Sequence, residues 1–212
     1  MDDNYKHRGK RKQLVKLLRE KGIKSEAVLK AIENIPRHLF LDSSFLEIAY
    51  KEDEAFPIGA KQTISRPYTV AVQTELLDIK KGDKVLEVGT GSGYQTAVLC
   101  YLGAKVFTIE RHHELFIKTK AFLPTIGYNP KFFYGDGYKG IPPFAPYDKI
   151  IVTAGAPSIP DALLQQLKDG GKLIIPVGDE KQTMFSVLKI GNNYQQTHHG
   201  SFKFVPMLKE KA

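Results

Sequence analysis

Val85–Tyr94 reads VLEVGTGSGY, an apolar strand that runs into Gly89-Thr90-Gly91-Ser92-Gly93 and then opens a helix. Glycines permit a tight turn and let a ligand approach the backbone, while the first N–H groups of the helix point at that ligand. Twenty-one residues past Gly89, Glu110 closes the next strand, where a carboxylate accepts hydrogen bonds from both hydroxyls of a ribose. Strand, turn, helix and acid together point to a nucleotide-like ligand rather than to a plain glycine turn.

The pattern also narrows which nucleotide. A dinucleotide fingerprint needs glycine at the sixth position of G-x-G-x-x-G; here that position is Tyr94, and the pattern is G-x-G-x-G. A pyrophosphate demands an anion cradle, whereas S-adenosylmethionine carries a zwitterionic amino acid and a sulfonium and no phosphate. Glu87, just ahead of the glycines, suits an ammonium group. Asp136 in Gly135-Asp136-Gly137 follows the third strand at the same sheet edge and is placed to accept from an adenine amino group. From the glycine loop to LKDGGKLIIPVG at Leu167–Gly178, residues 80–190 resemble the class I S-adenosylmethionine-dependent methyltransferases.

Outward from this core the chain divides. Leu14, Leu17, Leu18 and Ile23 are spaced for one face of a first helix ended by Gly22. Ser25 caps a second through Glu33, with Ala27, Val28, Ala31 and Ile32 inside. Irregular chain is expected to residue 66. Pro67 then opens a third helix with Tyr68, Ala71, Val72 and Leu76 on its buried side. After Gly82 short β-branched or aromatic runs alternate with helical ones. Strands are expected at Lys84–Val88, Lys105–Glu110, Lys131–Tyr134, Lys149–Val152 and Lys172–Val177, and helices at Tyr94–Leu102, His113–Leu123 and Ile159–Leu167. QTMFSVLKI and the region from Tyr194 to Val205 follow with no helix between them and read as an antiparallel hairpin. The fold class is therefore α/β: a three-layer, Rossmann-like, doubly wound, mostly parallel sheet with an antiparallel C-terminal hairpin, its rim covered by extra N-terminal helices. A single domain is expected over 1–212, with 1–78 giving the N-terminal helices and active-site segment and 79–212 the cofactor-binding core.

Composition bounds the function. At 212 residues, 42% hydrophobic and 25% charged, the chain is long enough for a full core and has ordinary globular composition. No run approaches the roughly 18 apolar residues of a membrane span, and the start MDDNYKHRGKRKQ has no apolar signal region. The single cysteine, Cys100, excludes an internal disulfide framework, and a cytoplasmic location is expected. Most of the +8 net charge lies in residues 1–24, where nine Lys and Arg face Asp2, Asp3 and Glu20. That reads as a solvated helix face; a nucleic-acid partner is not expected.

The acceptor is first narrowed by absences. After the fourth strand the chain has VTAGAP, Val152–Pro157, and not the Asn/Asp-Pro-Pro-aromatic tetrad of base amino-methylation. Cys100 falls within an apolar helix and reads as core, not as a nucleophile for cytosine chemistry. No His/Asp/Glu set has metal-ligand spacing, since His112–His113 and His198–His199 are adjacent pairs that read as surface, and no metal is expected.

AFPIGAKQTISRPYTVAVQTELL, with IPRHLF upstream, GDGYKGIPPFAPYDKIIVTAGAP, and FVPML near the end, resembles the protein-L-isoaspartate O-methyltransferases over residues 12–208. That resemblance implies methyl transfer from S-adenosylmethionine, leaving S-adenosylhomocysteine, to the free α-carboxylate of L-isoaspartyl residues in peptides and proteins, the first step of their repair. It implies Ser65 as the catalytic residue, with Thr63 and Ile64 lining the cofactor pocket. Gly89, Gly91, Glu110, Asp136 and Gly137 follow as cofactor contacts beside Glu87 and Thr90. Two departures are Arg66, where the family often has Gln or Ala, and Lys203 before Phe-Val-Pro. The rival readings are a methyltransferase of a small molecule or RNA, and a binding module that keeps the cofactor fold without turnover.

Overall fold

The computed structural model describes residues 3–212. Its centre is a seven-stranded sheet in the order β5-β4-β3-β6-β7-β8-β9, beside a separate two-stranded hairpin. Strands β3 (Lys84–Val88), β4 (Lys105–Glu110), β5 (Lys131–Tyr134), β6 (Tyr147–Val152) and β7 (Leu167–Val177) are parallel; β8 (Gln182–Ile190) and β9 (Asn193–Phe202) close the edge antiparallel. The doubly wound, mostly parallel expectation matches this architecture. Two strands start earlier than expected, because a register shift between Tyr147 and Lys149 lets Leu167 pair with Tyr147 ahead of the Lys168–Gly171 turn residues.

Strand periodicity sorts the core into two faces. Val85, Val106, Ile151 and Ile174 pack with Leu77 and Leu99 under α3 (Pro67–Leu77) and α4 (Tyr94–Tyr101). Leu86, Val88, Phe107, Ile109, Ile150 and Leu173 face the other way, against Leu163 of α6 (Asp161–Gln165) and Ile141. Helix α6 is shorter than expected because Pro160 sets its start and Leu167 already belongs to β7. Helix α5 (His113–Thr125) lies on β4 and β5.

Helices α1 (Tyr5–Glu20) and α2 (Glu26–Asn34) pack on each other, and α2 rests on α3 and α4 rather than on the sheet rim. Asn4 and Ser25 cap them by accepting from His7 N and Val28 N. The buried stripe of α1 is His7, Arg11, Leu14, Val15 and Leu18; Leu17 falls outside it, 37% exposed. In α2, Leu29 is buried and Ala27 exposed. In α3 the buried side carries Val70, Ala71, Gln73, Thr74 and Leu77, leaving Tyr68, Val72 and Leu76 half-buried. In α1 and α3 the face turns toward polar residues that find internal partners, as when Gln73 donates to Val152 O at 2.9 Å.

The basic N-terminal helix is matched by acids. Lys6 and Lys10 pair with Glu47, Arg19 with Glu26, Lys21 with Glu52, and Arg8 and Arg11 with Asp3. The stretch expected to be irregular also carries structure. Two 3₁₀ turns, Arg37–Phe40 and Ser43–Phe45, precede β1 (Phe56–Gly59) and β2 (Gln62–Ile64), which pair as a hairpin.

One contact fixes how α5 sits on the glycine turn. Gly93 has φ +85°, and a Cβ there would lie 2.7 Å from Thr119 Cγ2 and 3.0 Å from Leu123 Cδ1. Gly93→Ala is expected to cost about 2–4 kcal/mol, from left-handed backbone plus overpacking, read as a shift in the denaturant midpoint at unchanged slope.

Candidate functional site

The strand order reverses at β3, between β4 on one side and β6 on the other. In such sheets ligands bind beyond the carboxyl ends of the strands at this switch point. Here the chain leaves β3 through Gly89, Gly91 and Gly93, with φ of 97°, 52° and 85°. A cleft opens above them, lined by Ile58, Thr63, Gly89, Gly91, Glu110–His112, Gly137, Thr153 and Val205–Leu208. A second, smaller space continues it past Thr63, Gly91 and Thr153 to Ile64, Ser65, Thr90, Ser92 and Gln95. The glycines are needed for this shape. A Cβ on Gly91 would stand 3.3 Å from Ile58 Cδ1, and one on Gly89 or Gly137 would collide with Thr153 or Val88.

Glu110, at the end of β4, is 4% exposed and accepts from Gly91 N and His112 N, both at 2.9 Å. Each oxygen keeps a lone pair for a hydroxyl in the cavity. Thr153, one residue past β6, donates from Oγ1 to Gly89 O at 2.7 Å. Thr90 Oγ1 meets Thr108 Oγ1 at 2.6 Å. The far wall is the C-terminal segment, where Val205 and Met207 bridge to Gly155 and Arg111 donates to the carbonyls of Glu210 and Lys209.

Ser65 follows β2 and is half-buried in the smaller space. Its carbonyl accepts from Arg37 Nη2 at 2.9 Å. Arg37 is wholly buried, donates Nε to Ala49 O at 3.0 Å, and lies over the Tyr94 ring at 4.8 Å. The N-terminal region thus reaches the glycine turn and the Ser65 segment through one side chain.

The expected residues separate into three groups. Thr63, Ile64, Ser65, Gly89, Thr90, Gly91, Glu110 and Gly137 line the two connected spaces. Asp136 does not line them; it accepts from Tyr138 N at 2.9 Å and lines a neighbouring hollow with Gly135 and Lys139. Glu87 is turned away. Strand alternation puts it on the α4 side, 0% exposed, where Thr96 donates to it at 2.5 Å. Burial raises its pKa to about 8. Reading it as the acid beside an ammonium neglected the period of the strand.

Several residues were not foreseen. Thr153 and Arg37 stand inside quoted blocks, VTAGAP and IPRHLF, but nothing in their local pattern marked them. Gln62 likewise stands inside the quoted AFPIGAKQTISRPY block without being marked, and Arg111 lacked any signal. His112 lines the cavity, and His199 is half-buried with Nε2 2.7 Å from Ser186 Oγ, so two of the four histidines read as surface are engaged. Cys100 is mostly buried, its thiol pushed up to about 12 by that burial. Folding also gathers Asp3, His7 and His38, whose ligand atoms lie within 4.8 Å of one another across a sequence gap no spacing rule spans. Arg11 holds both Asp3 oxygens at 2.6 and 2.8 Å, and these bonds keep that carboxyl down at about 2.

A doubly wound sheet of this strand order, with a glycine turn and a buried acid at its switch point, is the architecture of the class I, Rossmann-like methyltransferases. Solved structures carry the same architecture. A protein-L-isoaspartate O-methyltransferase superposes with TM-score 0.84 at 30% identity, over 92% of this chain and 65% of that one. A Plasmodium falciparum protein crystallised with S-adenosyl-L-homocysteine superposes with TM-score 0.80 at 24% identity, over 94% and 98%. Residues 9–212 match the family model described as protein-L-isoaspartate(D-aspartate) O-methyltransferase. Proteins named protein-L-isoaspartate O-methyltransferase from Christiangramia forsetii and Flavobacterium psychrophilum are 64% and 60% identical, each aligned over the whole of both chains. The chain belongs to the protein-L-isoaspartate(D-aspartate) O-methyltransferase family and is an enzyme of that kind.

The buried Glu87 gives a pH test. With a folded pKa near 8 against an ordinary value of 4.5, the native state holds a proton that the unfolded chain has lost across that window. Stability must therefore fall as pH rises from about 4.5 to about 8. Glu87→Gln, which stays neutral, is expected to melt higher than wild type at pH 8 and to lose that advantage at pH 5, by thermal unfolding at both values.

Proposed function

We infer that the chain transfers a methyl group from S-adenosylmethionine to the free α-carboxylate of L-isoaspartyl residues in damaged proteins and peptides, initiating their repair, at the cleft above β3. The activity is that of the family to which the whole chain belongs. The observation that supports this cleft is the continuity of the two spaces, which puts Ser65 at one end of a cradle that has Glu110 at the other.

The residues present fit the cofactor. Gly89, Gly91 and Gly137 leave room that a Cβ would fill, Glu110 offers acceptors for ribose hydroxyls, and the apolar Ile109 and Met207 flank a planar base. Thr63 and Ile64 close over it, with Thr90 in the turn beneath. Asp136, in the neighbouring hollow, would be the acceptor for an adenine amino group. When bound, S-adenosylmethionine supplies an electrophilic methyl group on a positively charged sulfur.

An isoaspartyl α-carboxyl has a pKa of roughly 3.5 and is ionised at neutral pH. No general base is needed to make the nucleophile, so the protein's work is orientation and exclusion of water. Ser65 donates its hydroxyl to the carboxylate oxygen that does not attack, which directs the other one. It is a positioner, not a nucleophile. A cytoplasmic location goes with this reading, supported by a single cysteine in a chain of 212 residues.

Labelled methyl transfer to an isoaspartyl peptide, beside its aspartyl twin, tests the function: only the isoaspartyl form is expected to be methylated. Ser65→Ala is expected to slow turnover roughly 10- to 100-fold, the worth of one hydrogen bond to a charged group, with cofactor binding intact. An unchanged rate removes Ser65 from the mechanism. Glu110→Ala is expected to weaken S-adenosylhomocysteine binding in calorimetry while the far-ultraviolet circular dichroism stays unchanged; equal affinity contradicts the ribose assignment.

A further inference from the structure

The chain buries two arginines and treats them differently. Arg11, with a side chain 5% exposed, holds both oxygens of Asp3 and the carbonyl of Glu33. Arg37, 0% exposed, has no carboxylate partner among the described residues. Its hydrogen bonds go to two neutral carbonyls, Ala49 O and Ser65 O, and its Nη1 has no hydrogen-bond partner. It also lies over the face of Tyr94, the first residue of α4 after the glycine turn.

An ion removed from water without a counter-ion is costly, and such groups are normally paired. Burial lowers the pKa of Arg37 to about 10, which still leaves the group charged at neutral pH. The unpaired charge lies one hydrogen bond from the backbone of Ser65, at the mouth where an anionic acceptor must dock. In a low-dielectric interior a fixed charge acts strongly over that range and reorients nothing when the anion arrives.

We propose that Arg37 is a positioning residue for methyl transfer, whose unpaired buried charge behind Ser65 biases the acceptor site toward a carboxylate. It acts through the Ser65 segment and does not itself line the cleft. The docking anion supplies the counter-charge that the fold withholds, and a neutral amide in the same place does not. This deepens the reading of Ser65 as the acceptor site and rests on it.

The test uses the full chain loaded with S-adenosylhomocysteine and two peptides, one with the isoaspartyl α-carboxylate and one with that group as a primary amide. Binding by calorimetry is expected to favour the carboxylate in the wild type. Arg37→Gln is expected to shrink that preference by roughly ten-fold or more, with affinity for S-adenosylhomocysteine itself kept within about two-fold, and Arg37→Lys is expected to retain the preference. A merely structural arginine predicts parallel losses for both peptides. No carboxylate preference in the wild type, or an equal preference in Arg37→Gln, overturns the proposal. Should Arg37→Gln fail to fold, a folded Arg37→Lys that has lost the preference overturns it, and one that keeps it supports it. Failure of the wild type to methylate the isoaspartyl peptide counts against the function instead, since these binding measurements need no turnover.

Discussion

The carboxylate of Glu110 ties together the two loops that make the cleft. One oxygen accepts from Gly91 in the turn after β3, the other from His112 at the start of α5. A turn of three left-handed glycines has little conformational preference of its own, so its shape must come from outside. Glu110 holds it from the strand, and Thr119 of α5 holds it from above by donating to Gly91 O at 2.6 Å. Because Gly93 has no Cβ, α5 can come close enough to do so. The acid we propose as the ribose acceptor therefore also shapes the floor of the cleft.

The parallel core was legible because its signals are local. Short, near-continuous apolar runs in β3 and β4, the glycines between β3 and α4, and Glu110 at a fixed distance each report on their own segment. What escaped the sequence depends on partners far along the chain. The buried side of α3 could not be read from hydrophobicity, since Gln73 and Thr74 occupy it and are satisfied by Val152 O and Val70 O. Glu87 was assigned to the cleft from its place in a motif, yet the two-residue period of the strand sends it to the α4 face. Arg37 and Thr153 gave no local sign at all, because the hydrogen bonds that tie them to the site span 28 and 64 residues of sequence.

The hairpin β1–β2 shows the same limit most sharply. Its turn carries Ala60 and Lys61 at φ 48° and 55°, values that Asn-Gly or Asp-Gly would announce and these residues do not. Two-stranded ribbons are marginal alone, and non-glycine residues in the left-handed region add about 1–2 kcal/mol each. Something else must hold it. Phe56 and Ile64 are buried in the N-terminal core, and Arg37 fastens the chain one residue beyond β2. The conformation of Ser65 thus depends on the N-terminal layer that carries Arg37.

Two ionisable side chains are fully buried around the glycine turn, and their environments drive them opposite ways. Glu87, among Thr96, Thr108 and apolar neighbours, is held largely neutral at pH 7; Arg37, beside two carbonyls and an aromatic face, stays charged. Arg37 therefore stands charged behind Ser65 with no carboxylate paired to it among the described residues. That asymmetry suits a reaction whose nucleophile arrives already as an anion. For such an acceptor a base is superfluous, and a standing positive potential behind the docking hydroxyl is the more useful provision.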